Sequence, residues 1–591
     1  MLFPFSKARG VLQMGDRRIG FCIAAALAGS IGSHQAYAYD FSVGDVRVSW
    51  DTQIISGFGL RTESAGCTLV GDNGGASGCV GGGNAAQWGN GALGDLNYKA
   101  GQFYTGYLKG TSELLLTIPD GFKFMARGTV LYDEAAINTA DTDLSDSAEK
   151  RVAPNYQLLD LWLSKSYTID NMSGHIRVGN QVLNWGESYF AAGGINATNA
   201  LDLQKLLIPG VQVKEAVLPA PMVSIAQGLA PGLNIEAYYQ LDWNRAYFPA
   251  VGTYWSTSNQ LGSGALPIYV NSNNFNLNTY PGDPTAAVVP LGPVQKPSSQ
   301  GQFGVNLHYK PKWLTVDLGL YVENYHDKMP VLGYDAASGT DYWRYLADRK
   351  LYGLSANFPI DDVSVGMETS FRPHDAVSLT GCFAGNGGAL DSNTNTYLGS
   401  CHQWKDMQKW QTDVVGQLNL QPSDYPVLNY LAADFGVLTA EGTWVYYPGV
   451  GGDGTITSVQ GGQTVVQGFD AGYSTWLTGK TAAGYQILAP QGTANSAGLT
   501  VDFNWTYDGT VIPQWQMTPG MTFSYSFYGY TPNLAAQYEK GAKSINFYLL
   551  LNQNPSVWQA GLNFTHYFGG TPLTQPYGDR DFIGAFLTRN F

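Results

Sequence analysis

Charge is scarce in this chain. Only 13% of its 591 residues are Asp, Glu, Lys or Arg, against roughly 25% in a soluble globular protein. Long apolar runs are missing as well. Beyond the N-terminus no uncharged apolar run approaches the ~18 residues that a membrane-crossing helix needs, which excludes a helical membrane bundle. Cysteine is rare, five residues in all, and neither C-x-x-C nor H-E-x-x-H occurs, so the usual zinc patterns are absent. G-x-S-x-G is also absent. Gly479-Lys480-Thr481 is half a phosphate loop, with Ser474 where the earlier Gly belongs. No catalytic residue, metal or cofactor is therefore expected, and an enzyme ranks last among the functions considered.

The residues that are present point elsewhere. Fifteen Trp and 26 Phe can bury far more surface than a disordered chain does. Apolar residues make up 44% of the chain and are diluted by 73 Gly and 37 Tyr. Low charge with abundant Gly and aromatics fits one large membrane β-barrel.

The N-terminus reads as an export signal. Arg17 and Arg18 precede an uncharged stretch from Ile19 to Gly32, followed by Ala36-Tyr37-Ala38. That is a cleavable secretory signal over residues 1–38, leaving 39–591 as a single barrel domain. A twin-arginine reading is disfavoured, because that route carries folded proteins. Removing 1–38 takes the net charge from -14 to -17, which argues against nucleic acid as a partner. Cys67 and Cys79 share one Gly/Asn/Ser-rich stretch, and Cys382 and Cys401 share another. In an oxidising periplasm these read as two local disulfides stapling loops, ahead of a metal site.

Period-two alternation recurs along the chain. Leu233, Ile235, Ala237, Tyr239, Leu241 and Trp243 share one face. So do Leu314, Val316, Leu318, Leu320 and Val322, and so do Leu499, Val501, Phe503, Trp505 and Tyr507. A soluble sandwich alternates too, and the connections decide. Tight turns are expected at 119–121, 170–171, 231–232, 310–312, 361–362, 422–424, 519–520 and 553–555. Between them lie long polar connections near 61–98, 136–154, 186–215, 245–300, 326–349, 373–406, 448–497, 531–542 and 569–580. This alternation predicts an all-β transmembrane antiparallel barrel of about 16–18 strands, with short periplasmic turns and long outer loops. One strand is expected over about 428–447, and the stretch 480–498 is ambiguous. The final segment, Asp581 to Phe591, resembles the terminal strand signal read by the barrel-assembly machinery, although Arg589 breaks its apolar pattern.

Several motifs resemble a known family. Arg177-Val-Gly-Asn-Gln-Val-Leu-Asn-Trp-Gly-Glu-Ser188 is followed by Ile195-Asn196, Leu201-Asp202, Pro209-Gly210, Lys214-Glu215 and Leu218-Pro219. Later come Trp515-x-Met517-Thr-Pro-Gly-Met-Thr-Phe523, Tyr567-Phe568-Gly569-Gly570 and Asp579-Arg580-Asp581-Phe582. Together they resemble the proteobacterial family called domain of unknown function 1302, over most of the mature chain. The resemblance implies an outer-membrane barrel of a kind often suspected of moving hydrophobic or aromatic compounds. It carries over no binding residues. Asn180 and Ala197 depart from the family pattern.

Three functions follow. The first is an outer-membrane channel for small organic solutes, hydrophobic or aromatic ones included. The second is a structural or adhesive barrel acting through disulfide-stapled outer loops. The third is an outer-membrane enzyme. For a channel, the face opposite the apolar one lines the lumen. The solute candidates there are Arg177, Gln181, Trp185, Glu187, Glu236, Asp317 and Glu368, in a wider set that includes Asp242, Glu323, Arg372, Lys409, Asp413 and Asp502. Arg177, Gln181, Trp185 and Glu187 are expected on one strand face. The segment 186–215 is the candidate for a loop folded inward, with a short amphipathic helix over 201–208 stopped before Pro209. Partners are membrane lipid, the assembly machinery and a small organic solute.

The disulfides are testable by mass spectrometry after non-reducing digestion. Cys67–Cys79 and Cys382–Cys401 peptides are expected. Closure of each short loop contributes at most roughly 3 kcal/mol. Free thiols at all four positions would refute the pairing.

Overall fold

The computed structural model describes residues 39–591 except 71–88, 92, 270–287, 380–389, 392–395, 398, 452–454, 461–462, 473–478, 481–485, 488–490 and 536. Among the described residues eighteen strands form the wall. They are β1 (Val46–Arg61), β2 (Phe103–Ile118), β3 (Phe122–Asp133), β4 (Asn155–Ile169), β5 (Met172–Gln181), β6 (Ala220–Ala230), β7 (Leu233–Gln240), β8 (Gln302–Tyr309) and β9 (Asp317–Tyr325), then β10 (Arg349–Ile360), β11 (Val363–Leu379), β12 (Trp404–Leu420), β13 (Phe435–Tyr446), β14 (Asn495–Ile512), β15 (Trp515–Gly529), β16 (Ala542–Gln553), β17 (Trp558–Gly569) and β18 (Phe582–Asn590). Each pairs antiparallel with the next. β18 pairs back onto β1, with Ile583 opposite Leu60 and Asn590 opposite Gln53. The sheet is therefore closed, and no wall strand is an edge.

Closure explains the alternation. A barrel that meets lipid must satisfy every backbone amide within its ladder and turn apolar side chains outward. Leu318, Leu320 and Val322 on β9 are exposed on the outer face, while Tyr321 and Glu323, which alternate with them, are buried within. Exposed Trp313 and Tyr430 stand on short connections, where an aromatic girdle meets the membrane surface. This is a transmembrane barrel of outer-membrane type. Both wall termini lie at the short-turn end, where Tyr39–Val43 folds back onto the start of β1.

Three boundaries differ from expectation. The strand expected from 428 begins at Phe435, because Pro426 opens a helical turn, α1 (Pro426–Leu431), whose Leu428 packs against Leu420 and Ala433. Pro519-Gly520 is not a turn but lies inside β15; the chain reverses at Pro513-Gln514, with Gln514 at φ 68°. Pro519 has no N–H to give, and the β14–β15 ladder skips it between Asn504↔Gly520 and Tyr507↔Met517. Gly520 is required there because a Cβ would meet the Tyr548 ring at 2.4 Å. β9 begins at Asp317, so Leu314 and Val316 belong to the preceding turn, and Leu318 sits near the end of the strand rather than its middle. The signal segment, residues 1–38, lies outside the described residues.

Depth on the outer face is therefore testable on one strand. Leu320→Arg, near mid-strand, should cost ~2–4 kcal/mol of barrel stability, and Leu318→Arg, near the membrane surface, only ~0–1 kcal/mol. Urea titration of the barrel folded into lipid vesicles measures both. Equal losses would mean that the strand is placed wrongly in the bilayer.

Candidate functional site

The connection from β5 to β6, residues 182–219, turns into the barrel. β5 ends at Gln181, so Trp185 and Glu187 stand on this loop and not on the strand face that carries Arg177 and Gln181. Trp185 is nevertheless buried inside, its ring 5.1 Å from that of Tyr238 and 6.0 Å from that of Tyr321. Its indole N–H donates to Glu236 at 2.8 Å. Gly304 makes the room, since a Cβ there would lie 2.9 Å from the indole.

Two wall carboxylates hold the next stretch. Glu368 on β11 accepts from the backbone N–H groups of Glu187 (2.6 Å), Ser188 (3.1 Å) and Ile195 (2.9 Å). Glu441 on β13 accepts from the Ser188 hydroxyl (2.9 Å) and from the N–H groups of Tyr189 (3.0 Å), Phe190 and Ala191 (3.1 Å). Charge-assisted bonds of this kind are about twice as strong as neutral ones. The opposite polarity is also met. Arg372 donates to the Gly194 carbonyl at 2.8 Å and Gln411 to the Ala192 carbonyl at 3.2 Å. Asn357 donates to the Glu187 carboxylate at 2.7 Å. Gly194 sits at φ +60° with a notional Cβ 2.1 Å from the Glu368 carboxylate, so only glycine lets the loop settle so close.

The far part of the loop reaches the wall on the other side. Glu215 is fully buried, ion-paired with Lys109 and bonded to the Thr111 hydroxyl at 3.1 Å. The Tyr107 hydroxyl donates to the Pro209 carbonyl, and Ile208 packs with Ile55, Tyr107 and Leu131. The loop thus spans the lumen from β11–β13 to β1–β3.

No α-helix forms over 201–208. Ala200–Leu201 pairs with Val217–Leu218, and a single 3-10 turn covers Lys205–Leu207. The apolar residues serve separate clusters. Leu203 packs beside Phe248, Leu207 beside Tyr254 and Ile208 beside Tyr107. One amphipathic face could not reach all three.

The other candidates divide by role. Gln181 is buried and structural, donating to the Met222 carbonyl (3.1 Å) and accepting from Ser224 (2.9 Å). Arg177 lies over the Trp162 ring at 4.3 Å. Asp317 is held by His308 and Lys310, each at 3.0 Å. Asp242 is corrected: β7 ends at Gln240, and Asp242 is exposed in the loop, accepting from Ser299 at 2.5 Å. Elsewhere ion pairs brace the wall, as between Arg127 and both Glu113 (3.4 Å) and Asp160. Glu441, Tyr238 and Tyr321 were not among the site candidates. The alternation Thr439, Glu441, Thr443 inside β13 was the available signal for the first.

Below Trp185, towards the short-turn end, a cavity of about 800 Å³ opens between β4 and β9, lined by His175, Glu236, Asn306, His308 and Asp317 among others. The long-loop end is tied differently. Arg61 at the end of β1 pairs with Asp95 (3.3 Å) and Asp579 (3.4 Å), and Arg580 pairs with Asp95 (3.1 Å), all buried. Burial, then the nearby Asp95 carboxylate, pushes Asp579 up to about 7 against the pull of Arg580 and Arg61. Arg580 also donates to the Tyr254 and Ser256 carbonyls, so the Asp-Arg-Asp-Phe segment fastens the stretch 254–256 at this end. Cys67 and Cys401 are disulfide-bonded; Cys79 and Cys382, the partners expected for them, lie outside the described residues. Among the described residues no group of three or more His, Cys, Asp or Glu is placed to hold a metal ion.

The carboxylate clamp predicts local stability. In a Glu368→Ala, Glu441→Ala double variant, amide hydrogen exchange over 187–195 should accelerate about tenfold or more while the wall strands keep their protection. Unchanged exchange would show that packing, not the clamp, holds the loop.

Three solved proteins are weakly similar to this chain. OccAB3 of Acinetobacter baumannii is 8% identical, with a TM-score of 0.41 over 93% of this chain and 100% of that one. OccAB1 of the same organism is 9% identical, with 0.41 over 95% and 99%. OpdK of Pseudomonas aeruginosa, solved with vanillate, is 10% identical, with 0.39 over 93% and 98%. Likeness at this level assigns this chain neither a solute nor a mechanism. No curated protein matches the chain. The model of one family of proteins of unknown function, DUF1302, matches residues 19–591, and the chain belongs to that family.

Proposed function

We propose that the protein is an outer-membrane channel for small organic solutes, with loop 182–219 as its constriction. The observation that carries this reading is the clamp. A loop laid across the lumen on two wall carboxylates narrows a barrel of this size, which would otherwise hold a wide aqueous channel. The Trp185 ring, which lines the cavity and is backed by Tyr238 and Tyr321, favours solutes with an apolar or aromatic part, because such a ring offers an apolar face with one polar handle. In this reading residues 1–38 direct export, the terminal strand is read by the assembly machinery, and membrane lipid covers the outer face.

A structural or adhesive barrel is the second reading. It is favoured by the disulfide-bonded Cys67 and Cys401 in the long loops. Solute flux into liposomes separates the two.

Single-channel recording in planar bilayers tests the constriction. Deleting 199–208, or combining Glu368→Ala with Glu441→Ala, should raise conductance severalfold. Unchanged conductance in a folded barrel would mean that this loop does not set the channel's width.

A further inference from the structure

The cavity below Trp185 has an imbalance of charge and of hydrogen-bonding groups. Glu236 is its inner carboxylate. It accepts from the Trp185 indole at 2.8 Å and the Asn306 amide at 3.4 Å, and both donors are neutral. The cation lining the cavity, Lys310, is already spent on Asp317 at 3.0 Å, whose other oxygen takes His308 at 3.0 Å. Arg177, on the neighbouring strand face, lies over the Trp162 ring and makes no ion pair among the described residues; its charge is shared at longer range between Asp160 and Glu236.

Asn306 gives a second, independent sign. It lines the same cavity and is only 1% exposed. Its Nδ2 donates to Glu236, which fixes the orientation of the amide, and its Oδ1 has no hydrogen-bond partner. A buried acceptor left without a donor is costly, so this site lacks a donor as well as a hydrogen-bonded cation for Glu236.

The route past Trp185 has the same bias. Glu187 is met by Asn357, Glu368 and Glu441 by the loop, Asp413 by Thr443 and Gln411, and Glu323 by Tyr238. Every one of those partners is uncharged. Of the wall cations nearby, Arg372 is paired with Asp375 at 3.3 Å and acts on Glu323 only at longer range, and Lys409 lies over the Tyr447 ring with its charge shared between Asp375 and Asp413.

We infer that the cavity is a subsite for a protonated organic amine, with Glu236 as the charge partner and Asn306 Oδ1 as a second acceptor. An ammonium group brings one positive charge and three donors and has no acceptor, which is the complement of what this end of the lumen presents. A carboxylate solute would meet Glu236 as a like charge. The inference deepens the channel reading and rests on it.

Isothermal titration of the folded, detergent-solubilised barrel with benzylammonium, benzoate and benzyl alcohol reads the subsite without requiring conduction. Benzylammonium should bind saturably and about tenfold or more tighter than the other two, a ratio in keeping with one charge-assisted contact. Glu236→Gln keeps an acceptor for Trp185 and should remove that preference. Benzoate or benzyl alcohol binding as well as benzylammonium to the unmodified protein would overturn the inference, whether or not the variant assembles. So would a Glu236→Gln barrel that retains the preference. Planar-bilayer recording of the same preparation judges the channel reading separately: amine binding by a barrel that conducts nothing would leave the subsite standing and remove the channel.

Discussion

Backbone amides that leave a sheet must find acceptors, and where a loop packs against the inner wall water is excluded from them. The stretch 187–195 depends on that constraint. Two carboxylates on strands facing the loop's own root take up its N–H groups, while an arginine and a glutamine on the same wall take up its carbonyls. The charges of Glu368 and Glu441 are stabilised in turn by oriented dipoles. Neither group is comfortable alone: a free loop would have unmet amides, and an empty wall would carry two buried acids. The position of Trp185, the roof of the cavity and the path across the lumen all follow from this mutual need.

Much of the wall was legible in the sequence. The period of two holds in β7, β9 and β14 because one face meets lipid and the other does not. The alternation of short and long connections gave the number and direction of strands. The errors came where local chemistry is indifferent to tertiary demands. Pro519-Gly520 has the composition of a turn, yet proline fits a strand wherever the ladder skips a bond. Residues 201–208 have a helical pattern of leucines, yet Leu203, Leu207 and Ile208 are drawn to different clusters and Leu206 is exposed. Trp185 and Glu187 continue the parity of β5, but the strand has already ended, and parity carries no information about a loop.

The candidate residues were less legible than the fold. Inward charges were identifiable by parity, but parity cannot say which acid meets a cation and which meets an amide. Glu113 braces the wall through Arg127 and Glu215 anchors the loop through Lys109, whereas Glu236, Glu368 and Glu441, of the same residue type, accept from neutral groups. The Asp-Arg-Asp-Phe segment was visible as a motif, and its work became clear only once Arg61, Asp95 and Tyr254, distant in sequence, were brought beside it.

The seam between β18 and β1 joins the last wall strand to the first. Every other strand can pair with a neighbour close behind it in the chain, but this junction spans nearly the whole polypeptide. Until it forms, two long rows of peptide groups stand open to any passing strand. Closure of the cylinder therefore requires two edges that are distant in sequence to meet, a long-range contact of the kind that loop entropy opposes most.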